Sequence, residues 1–318
     1  KVFLIYGGSS LKKRGAYDKI VDSLKANGIE YREYGGIQKN PDIEDVNNIL
    51  SLCRPFQPEL ILAAGGGSVL DTAKSVCHGY FYDGDPLDFN KHLVTPLHAL
   101  PLATIIPLSA SGSERSDSCV ISDRMHHFKG GFNSVTNYPL FSLEDPSLTF
   151  SVPPYQLGCG LSDRFSHSFE RYCSPSHELE PCDGLALSIR KSVVSITNRV
   201  LAKADDREAK RARRICGSLS HDGFTNFGKK KLFIVHKAEH RLSGKYPDLV
   251  HGQGIALLMP SYLEENEAKL EEKIILLGKE VFGVTGSAKD AIAALKAWLD
   301  SLPIAHSFSE LPFEIKKE

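Results

Sequence analysis

At 318 residues, 42% of them hydrophobic and 24% charged, the chain is long enough to build two cores rather than one. A net charge of −1 gives no electrostatic reason to expect a nucleic-acid or membrane partner, and no apolar run approaches the roughly 18 residues of a membrane span. Seven cysteines with no Cys-x-x-Cys spacing exclude a disulfide framework and a zinc ribbon, and read as reduced thiols of a cytoplasmic protein. The chain opens at Lys1 with no signal peptide legible, and a further segment upstream is expected. The basic run Lys229–Lys231 is expected to be a solvated turn.

The first part of the chain alternates strand and helix signals. Val2–Tyr6 is a predicted strand followed by Gly7-Gly8-Ser9-Ser10, and Tyr17–Ala26 has helical spacing that stops at Gly28. Ile29–Tyr34 is a second strand, Ile43–Cys53 a helix, and Leu60–Ala64 a fully apolar strand ending in Gly65-Gly66-Gly67-Ser68, with a helix from about Val69. Leu102–Leu108 and Pro139–Leu143 are further strands. Strands separated by helices call for a parallel sheet covered on both faces, so residues 1–150 are read as a Rossmann-like nucleotide-binding domain. After Pro153-Pro154 strand signals vanish. Gln156–Cys173, Leu185–Lys203, Glu208–Ser218, Phe233–Ser243, Gly252–Glu264, Leu270–Val281 and Ala288–Leu302 read as helices, which makes 151–318 an all-helical domain.

Two places carry chemistry. A strand, three glycines, a serine and a helix make a pyrophosphate cradle, because the backbone comes close to the phosphates and the helix N-terminus offers unbonded N–H groups. The other reading is a tight turn without ligand. In the helical half, Asp163 and His167 are four apart and share a helix face. Downstream, His236, His240 and His251 fall within 16 residues, where composition alone places about 0.6 of a histidine. One carboxylate with two or three imidazoles suits a divalent first-row metal with a position open for substrate.

With these residues in view, Gly65-Gly66-Gly67-Ser68-Val69-Leu70-Asp71-Thr72-Ala73-Lys74 resembles the signature of the iron-containing, group III, alcohol dehydrogenases. The resemblance runs through Asn40-Pro41, Gly112-Ser113-Glu114, Asp145-Pro146, Asp163 with His167, and His236-x-x-x-His240 with His251-Gly252. Tyr6-Gly7-Gly8-Ser9 with Lys12-Lys13, Tyr34-Gly35-Gly36-Ile37 and Glu239-His240 give it the texture of the NADPH-dependent butanol dehydrogenase or aldehyde reductase branch. The resemblance implies a dehydroquinate synthase-like fold and an enzyme that moves a hydride between NAD(P)H and a small aldehyde or primary alcohol. It also implies a metal, Fe2+ or Zn2+, that polarises the substrate oxygen and is held by Asp163, His167, His236 and His251, with His240 as the proton-carrying catalytic residue. Gly65, Gly66, Gly67, Ser68 and Asp71 hold the cofactor on this reading, Asn40, Ser111 and Lys129 add contacts, and Gly7, Gly8, Ser9 and Ser10 face the adenine ribose. No acid stands in that last loop while Lys12 and Lys13 follow it, which favours NADP(H) over NAD(H). A homo-oligomer, dimer or larger, is expected, with no nucleic-acid or membrane partner.

The chain departs from the family pattern in places. Arg164 follows Asp163 where a small residue is usual, and is expected to point away from the site or to pair with Asp163. Ser111 and Ser116 replace a threonine and an asparagine, Pro247 lengthens the approach to His251, and Lys229–Lys231 replaces an apolar approach to His236. Glycerol dehydrogenase and the dehydroquinate synthase-like cyclases are the competing readings on the same fold. A cyclase needs basic residues around a phosphorylated substrate, and no such cluster is legible beside the ligand helices. A catalytically degraded binding protein is the reading from another class, motivated by Arg164 and the basic run, and opposed by the survival of all four ligand positions with His240.

Overall fold

A computed structural model describes residues 1–13, 15–107, 111–174, 180–230 and 232–316, with Ser10 described by its backbone alone. Leu108 of the fourth predicted strand, Lys231 of the basic run, the Ser10 side chain and Glu318 therefore lie outside the described residues. The chain forms two compact units, Lys1–Ser109 with Ser113–Ser151, and Ala110–Gly112 with Val152–Glu318.

In the first unit, β1 (Val2–Gly7), α1 (Ser10–Lys13), α2 (Ala16–Ala26), β2 (Tyr31–Ile37), α3 (Ile43–Phe56), β3 (Leu60–Ala64), α4 (Gly67–Gly79), α5 (Leu87–Asn90) and β4 (Leu102–Ile105) follow in order. A hairpin, β5 (Ser118–Asp123) and β6 (Phe128–Asn133), precedes the edge strand β7 (Phe141–Leu143). The five-stranded sheet runs β2-β1-β3-β4-β7 and every pair in it is parallel. Alternation along β1 explains the layering. Phe3 and Ile5 point into a core with Val46, Ile49 and Val69, while Val2, Leu4 and Tyr6 point into a second core with Ile20 and Leu24. Both faces are thus buried, which is why β3 is apolar throughout. The antiparallel β5–β6 pair is absent from the sequence reading, and β4 is shorter than the predicted strand.

The second unit contains no strand among its described residues. Its helices are α6 (Pro154–Cys173), α7 (Glu180–Ala202), α8 (Arg207–His221), α9 (Ile234–Lys245), α10 (His251–Glu265), α11 (Glu267–Leu277) and α12 (Ala288–Asp300). Helix α6 is its axis, buried from Leu157 to Cys173. Close approach of α10 to α6 depends on Gly252, where an added Cβ would meet the Cys159 carbonyl oxygen at 2.1 Å, and on the Ser162 hydroxyl, which donates to Gly252 O at 2.6 Å. Lys229 corrects the sequence reading: it is buried and paired with Asp183 on α7, because a lone ammonium taken out of water needs a counter-charge, whereas Lys230 is exposed. All seven cysteines are free; Cys182 is half-buried and the others are buried. No helix among the described residues is long and apolar enough to cross a membrane.

Candidate metal centre and cofactor cradle

Asp163 and His167 lie one turn apart on α6, so the His167 Nε2 comes within 3.7 Å of Asp163 Oδ1. His236, in the first turn of α9, and His251, the first residue of α10, bring their Nε2 atoms to 3.6 Å from the same oxygen. Three imidazole nitrogens therefore surround one carboxylate oxygen. Asp163 Oδ1 and His236 Nε2 are buried and have no hydrogen-bond partner among the described residues, a costly arrangement unless another group binds there. The donor atoms of Asp163, His236 and His251 all lie within 4.8 Å of one another, a donor set that fits a divalent cation, while His167 approaches the Asp163 oxygen without belonging to that group.

The outer nitrogens are held by carboxylates. Glu170, two turns along α6 from Asp163, takes His236 Nδ1 on one oxygen and accepts from Val235 N at 2.7 Å and His236 N at 3.3 Å. It thereby caps α9, whose own N-cap, Phe233, sits at φ 47 and offers no side-chain acceptor. Glu239, fully buried on α9, takes His251 Nδ1. Such carboxylates fix the ring and aim the opposite nitrogen inward. Burial, reinforced by the charges of His221, His236 and Arg171, holds His167 well below the usual imidazole range, so its ring is neutral. Burial pulls His236 down too, but Glu170 and Asp163 outweigh it and raise His236 to about 9. A cation at its Nε2 competes with that proton.

His240 stands beside this group, its ring centroid 5.5 Å from His251 and 6.4 Å from His236. The sequence reading missed Glu170, although its spacing from Asp163 and His167 repeats the same helix face. It also missed His221, whose ring stacks on His167 at 4.0 Å and whose carbonyl accepts from Arg171 Nη2 at 2.8 Å. A lone histidine at a helix C-terminus carries no spacing signal.

In the first unit, β1 and β3 pair side by side and both end at glycines. Gly65 cannot carry a Cβ, which would meet Val69 Cγ2 at 2.3 Å, while Gly66, Gly67 and Ser68 are half-exposed at the start of α4. The open glycine turn and helix N-terminus suit a pyrophosphate. Asp71 is turned elsewhere: it accepts from Ser113 Oγ at 2.8 Å and Val120 N at 3.2 Å, and burial pushes its carboxyl up against the pull of Lys74. Lys129 Nζ donates to Asn40 Oδ1 at 2.9 Å, so those two predicted residues meet. Ser111 belongs to the second unit. Gly7 ends β1 and Gly8 and Ser9 follow it, and Lys12 lies over the rings of Tyr6 and Tyr17 at 5.1 and 4.5 Å. Glu33 is held by the Tyr6 and Tyr17 hydroxyls at 3.1 and 2.7 Å, opposite the middle of β1 rather than at its C-terminal end.

Comparison with known proteins agrees in both units. Residues 1–146 match the family model for iron-containing alcohol dehydrogenase, and residues 159–318 that for the C-terminal part of the Fe-containing alcohol dehydrogenase family. The chain belongs to the iron-containing alcohol dehydrogenase family. It is 35% identical to NADH-dependent butanol dehydrogenase A of Clostridium acetobutylicum, over 98% of this chain and 82% of that protein. It is 27% identical to the NADPH-dependent aldehyde reductase YqhD of Escherichia coli, over 98% and 81%. The crystal structure of NADH-dependent butanol dehydrogenase A from Thermotoga maritima superposes with a TM-score of 0.92 at 32% identity, covering 96% of this chain and 78% of that one. The parallel α/β unit and the helical unit of this chain are those of the iron-containing alcohol dehydrogenases.

Proposed function

We propose that this chain of the iron-containing alcohol dehydrogenase family transfers a hydride between NAD(P)H and a small aldehyde or primary alcohol. The observation that carries the reading is the convergence of three imidazole Nε2 atoms, at 3.6 to 3.7 Å, on the buried Asp163 Oδ1. On this reading Asp163, His167, His236 and His251 hold one divalent ion, Fe2+ or Zn2+. When bound, the ion polarises a substrate oxygen and the nicotinamide supplies the hydride. Glu170 and Glu239 keep two of the rings aimed, and the burial of α6 shields Asp163 and His167 from water. His240 carries the proton exchanged with the alcohol oxygen at a ring nitrogen, as an imidazole near neutrality is able to do.

The glycine turn of residues 65–68 takes the pyrophosphate on this reading, and Asn40 and Lys129 add contacts as a pair. Three observations support a preference for NADP(H). No acid follows β1, and Glu33, the acid on β2, has both oxygens engaged by tyrosines away from the strand ends where nucleotides bind. Lys13, exposed beside Lys12, supplies positive charge for a 2′-phosphate. Relatives named as NADH-dependent and as NADPH-dependent both resemble the chain, and the test therefore runs both cofactors.

The test is anaerobic reconstitution of the purified chain with Fe(II) or Zn(II), followed by NADPH and NADH oxidation with butyraldehyde. Turnover higher with NADPH, and lowered about a thousandfold in His251→Ala as expected for loss of a metal ligand, is the expected result. One equivalent of bound metal without oxidation of either cofactor, across a panel of small aldehydes, would overturn it. Turnover confined to NADH would remove the cofactor preference and keep the activity.

A further inference from the structure

Asn40 stands in the turn between β2 and α3 in a conformation that needs support. Its φ of 53° lies in the left-handed region, which asparagine tolerates better than most residues but does not favour. The side chain is buried, and its Oδ1 accepts from Lys129 Nζ at 2.9 Å.

The support comes from the β5–β6 hairpin, whose turn begins at Arg124. The Arg124 Nη2 donates to Lys39 O at 3.1 Å and to Asn40 O at 3.4 Å, the carbonyls on either side of the Asn40 kink. Its Nε pairs with Asp42 Oδ2 at 3.5 Å, and the Arg124 backbone N donates to that same oxygen at 3.1 Å. One residue thus spans the turn from Lys39 to Asp42. Asp42 is itself fixed, because its other oxygen accepts from Glu44 N at 3.0 Å and caps α3. Ser122 N adds a bond to Pro41 O at 2.8 Å, and Ser122 is the register partner of Lys129 across the hairpin. The hairpin therefore carries both the arginine that shapes the turn and the lysine that meets Asn40. Arg124 is 44% exposed along its side chain, and an ion pair so placed adds little to stability by itself. Its use lies in where the bonds fall. An ammonium at this position reaches the carboxylate as a point charge, whereas the planar fork bonds the carboxylate and the carbonyls together from fixed directions.

We propose that Arg124 is a positioning residue for cofactor binding. It holds the 39–42 turn so that the Asn40 side chain is presented, together with Lys129, to the nicotinamide dinucleotide. Arg124 acts through Asn40 and touches neither the cofactor nor the reacting atoms. This role rests on the reading of Asn40 and Lys129 as cofactor contacts, and adds to it the residue that forms the turn before the cofactor arrives, so that binding does not have to order it.

The experiment measures the dissociation constants of NADPH and NADH by nicotinamide fluorescence on the metal-loaded chain. The variants are Arg124→Ala, Arg124→Lys, Asn40→Ala, the Arg124→Ala and Asn40→Ala double variant, and Met125→Ala at an exposed neighbour in the same turn. Arg124→Ala and Asn40→Ala each weaken the better-bound cofactor about tenfold, as loss of a bond to a charged group does. The double variant is no weaker than Asn40→Ala, because Arg124 has nothing to position once that side chain is gone. Arg124→Lys recovers part of the affinity and Met125→Ala keeps all of it. In turnover, Arg124→Ala raises the cofactor KM and leaves kcat within about twofold. Hydrogen exchange without cofactor reads the turn itself: the amides of Ser122 and Glu44 lose protection in Arg124→Ala and keep it in Met125→Ala. Native affinity in Arg124→Ala beside a weakened Asn40→Ala overturns the positioning role and leaves the cofactor reading in place. Losses that add in the double variant overturn it too, since Arg124 then acts by another route. Native affinity in Asn40→Ala overturns the cofactor reading of the turn and the positioning role with it. Unchanged exchange at Ser122 and Glu44 in Arg124→Ala overturns the hold on the turn, whatever the affinities.

Discussion

At the scale of single residues, the Asp163 carboxylate organises the centre and the glutamates behind it hold the geometry. Asp163 with His167 and the histidines at 236, 240 and 251 are legible in the sequence, because an i,i+4 pair and an excess of histidine over composition are countable. Glu170 and Glu239 are not, since a carboxylate on a helix has the same appearance in sequence whether it meets solvent or an imidazole. Their positions make a specific demand. Glu239 is fully buried and faces His251 Nδ1, leaving His251 Nε2 turned to Asp163 at 3.6 Å. Replacing Glu239 by Gln keeps the volume, removes the charge and frees the ring orientation. Metal affinity, measured by competition with a chelating dye, is expected to fall about 10- to 100-fold, with kcat largely restored at saturating metal. Unchanged affinity in Glu239→Gln would mean that His251 is aimed by packing alone.

At the scale of elements, long periodic segments were legible and exceptions to amphipathic logic were not. Strands β1 and β3, and helices α2, α6, α10 and α12, follow their apolar spacing closely. The β5–β6 hairpin escaped because Gly130 and Gly131 interrupt its alternation and because its turn, Arg124 to His127, lacks the usual Asn-Gly signal. Helix α8 was legible as a helix, but its buried side was not, since three basic residues on one stripe, here Lys210, Arg213 and Arg214, ordinarily mark a solvated face. That inversion has a pH signature. Burial, together with Arg213, lowers Lys210 from 10.5 to about 8. Between pH 8 and 10.5 the unfolded chain holds a proton on this lysine and the folded chain does not, so the group adds stability as pH rises through that window. Below pH 8 the folded chain bears the full cost of the buried ammonium. Lys210→Met removes the cost, so the variant is more stable than the native chain near pH 7. Its advantage shrinks steadily toward pH 10. Denaturant unfolding at a series of pH values checks this, and a difference that does not vary with pH would show that Lys210 keeps an ordinary lysine pKa.

At the scale of the whole molecule, the proposed function divides its chemistry between the two units. The glycine cradle, Asn40, Lys129 and the β1 loop belong to the first, and all four candidate metal ligands with both supporting glutamates belong to the second, on α6, α9 and α10. These three helices pack together and are also tied at the centre: Glu170 of α6 caps α9, Glu239 of α9 holds His251 at the first residue of α10, and beside it Gly252 brings α10 against α6. On the proposed reading, a cation that joins Asp163 to three imidazoles binds the folded arrangement and not the unfolded one, so it stabilises the helices that supply its ligands. Removing it with a chelator is therefore expected to act unevenly. Hydrogen exchange should quicken at the N-terminal turns of α9 and α10 and along α6 between Asp163 and Glu170, where opening now costs less. Amides of β1, β3 and β4 gain no direct support from the ion and should keep their protection. Asp163→Ala should show the same pattern with metal present, because it removes the oxygen on which the three imidazoles converge. An equal loss of protection in the sheet and in the three helices would mean that folding of the whole chain, rather than of its second unit, depends on the ion. Unchanged exchange in both units would mean that the histidines stay in place without it, and that their 3.6 Å approach to Asp163 is set by helix packing alone.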